Sequence, residues 1–113
     1  MTRDEVILLD LIRAARLIIE FNNNLAWPDF QKDIRTQSAS LHQLMIMGEA
    51  TKRLSPEYRD QTPDVPWKQM AGMRDKLIHG YDIVDLERVW ETITVHVPQV
   101  LAQIEPLLPP HSS

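Results

Sequence analysis

The chain has 113 residues, 43% of them hydrophobic and 25% charged, with a formal net charge of −4 at pH 7. That length fits one domain with a single modest core. Three glycines and no cysteine argue against a β-rich or disulfide-built fold and exclude thiol catalysis and thiolate metal sites.

The N-terminus lacks a basic-then-apolar signal pattern, and no apolar run reaches the length of a bilayer span. A cytoplasmic protein with no membrane contact is expected. The negative net charge counts against generic nucleic-acid binding, but the charge is uneven. Residues 1–51 hold five Lys/Arg and seven Asp/Glu, a net of −2; residues 52–81 hold six and four, a net of +2; residues 82–113 hold one and five, a net of −4.

Thr2-Arg3-Asp4-Glu5 reads as a capping box opening the first helix. Leu8, Leu11, Ile12, Ala15, Ile18 and Ile19 form its apolar stripe, and Asn22-Asn23-Asn24 stops it. Ile7, Leu9 and Leu17 widen the apolar surface, as expected of a helix that is central or pressed against a second subunit. Trp27-Pro28-Asp29-Phe30 is a turn able to start a short helix, with its two aromatics closing one end of the core. Ile34, Leu41, Leu44, Met45 and Gly48 trace a second long helix over roughly 33–53. Gly48 within it costs about 1 kcal/mol against Ala and marks a candidate close helix approach. Glu49 and Lys52, three apart, are placed to pair.

Ser55-Pro56-Glu57 starts another short helix, and Thr62-Pro63-Asp64-Val65-Pro66 is a stiff connector. From Pro66, the residues Trp67, Met70, Ala71, Arg74, Leu77, Ile78 and Tyr81 recur at helical spacing as one stripe, with Gly80 as its terminator. Asp82 or Asp85 caps the last helix, whose stripe is Leu86, Trp90, Ile93, Val97, Leu101, Ile104 and Leu108. Pro98 interrupts that stripe and predicts a kink or break near Val97. The sum is an all-α fold, a four- to five-helix antiparallel bundle spanning 1–113 as one domain, with 109–113 as a frayed tail.

The stretch Met73-Arg74-Asp75-Lys76-Leu77-Ile78-His79-Gly80-Tyr81 carries the candidate chemistry. Arg74 falls within the apolar stripe, where a guanidinium is costly to bury without a partner; Glu49 and Asp75 are candidates. On a straight helix His79 lies roughly 140° from Arg74, so the two share a site only if the helix loosens near His79 or a second chain completes it. A His in the last turn would gain from the helix dipole as the imidazolium. Gly72, seven residues before His79, leaves room on the same side for a backbone or ligand.

His42, His79, His96 and His111 are too scattered for a zinc signature, and no cofactor is expected. Neither a Gly-rich phosphate loop nor a nucleophile elbow is present. An Arg and a His suffice for RNA cleavage without a metal. The His takes the proton of the ribose 2′-OH, and the Arg steadies charge on the phosphoryl oxygens. Each residue also has an ordinary structural role: a salt-bridged Arg, a capping His, a core Tyr.

Arg74-Asp75-Lys76-Leu77-Ile78-His79-Gly80-Tyr81 resembles the R-x4-H-x-Y motif of HEPN domains in their HepT toxin branch. Met47-Gly48-Glu49-Ala50-Thr51-Lys52-Arg53-Leu54, Val65-Pro66-Trp67 through Ala71-Gly72-Met73-Arg74-Asp75, and Asp85-Leu86 with Val89-Trp90 resemble further segments of that branch, in the same order. Thr51 stands where small apolar residues are common, and Asp82-Ile83 follow Tyr81 where many relatives have an aromatic and Gly.

The resemblance implies a helical bundle that forms a homodimer, with the motif lining the cleft between subunits. It implies a metal-independent endoribonuclease acting as the toxin of a type VII-like toxin–antitoxin pair. It also implies a cognate minimal nucleotidyltransferase antitoxin that silences the toxin by AMP transfer. Arg74 and His79 become the catalytic pair and Tyr81 the AMP acceptor. AMP there would bring charge and bulk two residues from His79 and repel an RNA phosphate. Lys76, Asp75, Glu49 and Lys52 are supporting or RNA-contacting candidates, and Gly72 and Gly80 close-approach glycines. The alternative is a non-catalytic helical dimer that binds the nucleotidyltransferase or a nucleotide, with Arg74 in a structural ion pair.

Overall fold

The computed structural model describes residues 1–79 and 83–109, and of His79 the backbone. The fold is all-α, as expected. Helix α1 (Arg3–Phe21) opens on the anticipated capping box: Glu5 N donates to Thr2 Oγ1 at 3.1 Å, and Thr2 N to Glu5 Oε1 at 2.8 Å. Leu8, Leu11, Ile12, Ala15 and Ile18 are wholly inaccessible, with Ile7 and Ala14 close behind. The helix is therefore central. Ile19 and Leu17 lie at its margin, each 37% exposed.

The asparagines end α1 by a route that local sequence only half shows. Asn22 is buried; its Nδ2 donates to Ile18 O at 2.8 Å and to Ser40 Oγ at 2.9 Å. Asn24 has a φ of 66°, a left-handed conformation that Asn tolerates well. The stop signal is thus also a tie to the next long helix.

Helix α2 (Trp27–Lys32) is one short turn, its first turn held by Ala26 N donating to Asp29 Oδ2 at 3.0 Å. Phe30 is fully buried, and its ring centroid lies 5.0 Å from that of Trp90 and 6.4 Å from that of Trp27. These three rings close one end of the core.

Helix α3 (Ile34–Arg53) follows, capped by Asp33, whose carboxylate accepts from Thr36 N and Oγ1. Those two bonds hold the Asp33 carboxyl below its ordinary pKa, with the hydroxyl the larger cause. The helix runs antiparallel to α1: Asn22 at the end of α1 meets Ser40, and Asp4 at its start accepts from Ser55 N at 2.8 Å and Ser55 Oγ at 2.7 Å. Ile34 and Met45, placed on the stripe by spacing, are exposed; the buried set is Ser40, Leu44, Met47, Gly48, Ala50 and Thr51. Thr51 is inaccessible because its hydroxyl donates to Met47 O at 2.8 Å, which lets it occupy a small apolar position.

Helix α4 (Pro56–Gln61) is capped by Ser55, with Pro56 at its start. After the segment that carries the candidate site, α7 (Leu86–Glu91) is capped by Asp85, whose carboxylate accepts from Arg88 N at 3.2 Å. Asp82, the other candidate cap, lies outside the described residues. The disturbance expected from Pro98 takes the form of a π-helical turn, Thr92–His96, feeding α8 (Val97–Ile104) and a 3₁₀ turn, Glu105–Leu107. Val89, Ile93, Val97, Val100 and Ile104 are its buried line, while Leu86, Trp90, Leu101 and Leu108 are half-buried beside it. Arg16 of α1 pairs with Glu105 at the end of this composite helix. Among the described residues no helix is long and apolar enough to cross a membrane.

Candidate active site

The site segment begins at the stiff connector. Thr62 accepts from the indole Nε1 of Trp67 through both its carbonyl, at 3.1 Å, and its hydroxyl, at 3.0 Å. Trp67 is buried, so this bond satisfies the polar end of a large core side chain. Helix α5 (Trp67–Ala71) starts one residue after Pro66 and sits directly on α3. A Cβ at Gly48 would lie 3.2 Å from Met70 O, which supplies the physical reason for a glycine in the middle of α3.

At Gly72 the helix breaks. Gly72 closes α5, its N–H donating to Lys68 O at 3.1 Å, and opens α6 (Met73–Leu77). A Cβ at Gly72 would meet Lys68 O at 3.5 Å, an ordinary contact. The break corrects the single stripe expected from Trp67 to Tyr81. Its helical phase restarts at Met73, so Leu77 is buried while Arg74, Asp75 and Lys76 are exposed. Arg74 is therefore not a buried guanidinium. Neither Glu49 nor Asp75 pairs with it, nor does any other described residue; Glu49 instead meets Lys52 at 3.4 Å, both well exposed.

The helix ends at Leu77, earlier than the terminator expected at Gly80. Ile78–His79 (β1) is extended and pairs antiparallel with Ile83–Val84 (β2), in the register Ile78 with Val84 and His79 with Ile83. Asp85 N donates to Leu77 O at 2.9 Å and closes the base of this hairpin. The β-branched residues Ile78, Ile83 and Val84 suit the pleated geometry. His79 thus lies two residues beyond the helix, not in its last turn, and the 140° separation from Arg74 on one straight helix does not apply. The seven-residue helical relation of Gly72 to His79 lapses for the same reason. Gly80 and Tyr81 lie outside the described residues, as does the imidazole of His79.

Beside α6 runs a groove of about 630 Å³, bounded on the other side by α7, the π turn and α8. Met73, Lys76 and Leu77 line it from α6, and Arg88 faces it from α7. Sequence spacing did not single out Arg88. It is the one basic residue of the acidic C-terminal third, and only the fold brings it to the same groove as Lys76. Among the described residues no three His, Cys, Asp or Glu side chains cluster as a metal-binding group.

The chain is similar in sequence to ribonuclease-named proteins over most of its length. A "Probable ribonuclease HepT" of Thermococcus cleftensis is 39% identical over 98 residues, covering 87% of this chain and 89% of that protein. A protein of Methanocaldococcus jannaschii named "Putative RNase" is 38% identical over 101 residues, covering 89% and 84%. A namesake from Caldanaerobacter subterraneus subsp. tengcongensis is 39% identical over 98 residues, covering 87% and 88%. No solved structure gives a significant match. The sequence model of the ribonuclease HepT-like family matches residues 11–107, and the chain belongs to that family.

Proposed function

We propose that this chain is an endoribonuclease that works without a metal ion, with Arg74 and His79 as its catalytic pair. His79 takes the proton from a ribose 2′-OH, and the freed oxygen attacks the adjacent phosphorus. The bond to the 5′-oxygen breaks, a 2′,3′-cyclic phosphate forms, and a protonated imidazole returns a proton to the 5′-oxygen. Arg74 holds the phosphoryl oxygens as charge gathers on them. A homodimer supplies two such pairs to one cleft, so that the acid and the base come from different copies.

The observation that carries this reading is the state of Arg74. It is exposed and unpaired among the described residues, on a five-residue helix that ends two residues before His79. The structural ion pair that the non-catalytic alternative assigns to it has no partner there. Membership of the ribonuclease HepT-like family supports the same conclusion.

In the proposed physiology the protein is the toxin of a toxin–antitoxin pair, and a minimal nucleotidyltransferase silences it by transferring AMP to Tyr81. The test compares RNA cleavage and growth arrest for the wild type, Arg74→Ala and His79→Ala. Cleavage lost in both folded variants is expected; a folded wild type that cuts no RNA and is harmless overturns the reading. Incubation with the partner and ATP is expected to add an adenylyl mass to the peptide containing Tyr81, and not to the Tyr81→Phe protein.

A further inference from the structure

The groove beside α6 combines buried apolar side chains with exposed polar and charged ones. Its lining includes three of the five methionines of the chain: Met47 and Met70 are buried beneath it, as are Val97 and Val100 across from them, and Met73 is half-buried and offers its surface to the groove. Methionine is unbranched and polarizable, so it adapts to a flat ring and makes favourable contacts with aromatic systems through sulfur. The rim is polar. Gln69 and Gln99 are exposed there, and among the described residues neither side chain makes an intramolecular hydrogen bond. Gln103 is already committed, donating to Asp64 O at 2.9 Å.

Two cations, Lys76 and Arg88, line the same groove. Arg88 meets Asp85 through Nε at 3.4 Å, an arrangement that leaves its terminal nitrogens available to an oxyanion. Glu91, the one carboxylate in the lining, lies 3.4 Å from His96. The volume falls in the range of about 300–1,000 Å³ typical of small-molecule sites. Met73 and Lys76 lie on either side of Arg74 in α6, so an occupant of the groove is next to the proposed cleavage site along the chain.

We infer that this groove is a nucleotide subsite: it takes one nucleotide of the RNA strand adjoining the scissile phosphate. The inference rests on the ribonuclease reading for its RNA and on the groove for its chemistry. The base lies against Met73, the half-buried methionine of the groove. Its edge faces Gln69, Gln99 and Glu91, which between them can donate to and accept from it. Its phosphate meets Lys76 and Arg88. A second copy of the chain carries a net charge of −4 spread over both signs; the paired cations Lys76 and Arg88 favour the phosphate-bearing occupant.

The test uses full-length wild-type protein with methyl-labelled methionine, titrated with each of the four nucleoside 5′-monophosphates, which carry no scissile 2′-adjacent diester. The Met73 methyl signal is expected to move most, with smaller shifts at the buried Met47 and Met70 behind it, while those of Met1 and Met45 serve as internal references. Lys76→Ala/Arg88→Ala is expected to weaken monophosphate binding at least tenfold and to leave binding of the phosphate-free nucleosides unchanged. Gln69→Ala and Gln99→Ala are expected to alter the order of preference among the four bases by threefold or more. All four exchanged positions are exposed, so the fold is not at stake. Groove methyls that stay still at millimolar nucleotide overturn the inference, and so do methyls that respond to protein concentration alone, which would mean a second copy covers the groove. RNA cleavage with unmoved methyls sinks the subsite and spares the ribonuclease reading. Methyl shifts without any RNA cleavage uphold a nucleotide site and remove the ribonuclease reading.

Discussion

Gly48 of α3 lies against the main chain of α5: a Cβ added to it would stand 3.2 Å from the carbonyl oxygen of Met70. Arg74 stands on α6, which follows α5 directly after the break at Gly72. An Ala at 48 gains about 1 kcal/mol of helix propensity and forces a shift of a few tenths of an ångström, two effects of opposite sign. Gly48→Ala is therefore expected to change stability by less than about 1 kcal/mol in urea unfolding. Gly48→Val adds branched bulk with nowhere to go; overpacking of this kind costs about 1–3 kcal/mol, and RNA cleavage is expected to fall with it. A Val variant as stable and active as the wild type would show that α5 does not rest on this glycine.

Arg74 offers the cleanest separation of function from folding. Exposed side chains without partners change stability by about 0.5 kcal/mol or less on substitution. Removing a charge-stabilising donor from a transition state costs roughly 100-fold or more in rate. Arg74→Ala is expected to keep its Tm and to lose at least that factor of RNA cleavage. Arg74→Lys is expected to recover only part, because a point charge lacks the planar fork. A drop of several degrees in Tm for the Ala variant would return Arg74 to a structural role.

The tie between Asp4 and Ser55 makes part of the stability pH-dependent. Hydrogen bonds from the Ser55 N–H and then its hydroxyl hold the Asp4 carboxyl below its ordinary pKa of 3.8, more than its partial burial raises it. A depressed folded-state pKa means the contribution is complete above the unfolded value and fades as pH falls through the folded one. Asp4→Asn is expected to melt lower than wild type at pH 7, with the gap closing below about pH 4. A gap that stays constant down to about pH 2 would contradict the assignment.

Pro98 follows the π turn, but the buried line suggests a second cause for that turn. From Val89 through Ile93, Val97 and Val100 to Ile104 the chain spends fifteen residues on four turns, about 3.75 per turn against 3.6 for an ideal helix. A single wide turn absorbs the excess and keeps all five side chains on the core. Pro98→Ala is therefore expected to retain the π turn, read from backbone chemical shifts over Thr92–His96, with stability changed by about 1 kcal/mol or less. Reversion to a regular α-helix would assign the turn to the proline alone.

Local sequence determines structure here wherever a few neighbouring residues suffice. The Thr2–Glu5 box, the Ser55-Pro56 start, the Asp85 cap and the aromatic closure at Trp27 and Phe30 all depend on side chains within reach of their own backbone or on plain hydrophobicity. The site segment was less legible, because an unbroken helical period ran from Trp67 past Leu77 and masked the break at Gly72. Nothing next to Ile78 announces that its partner is Val84, since strand pairing is decided across the hairpin. Exposure of Ile34 and Met45 likewise depends on where α1 lies, not on spacing within α3. Arg88 entered the groove only through tertiary contact.

The bond from Asp85 N to Leu77 O brings the two ends of residues 78–84 together at one point of the scaffold. A segment tethered in that way can be exchanged as a cassette: its length and wording can change while the helices on either side keep their positions.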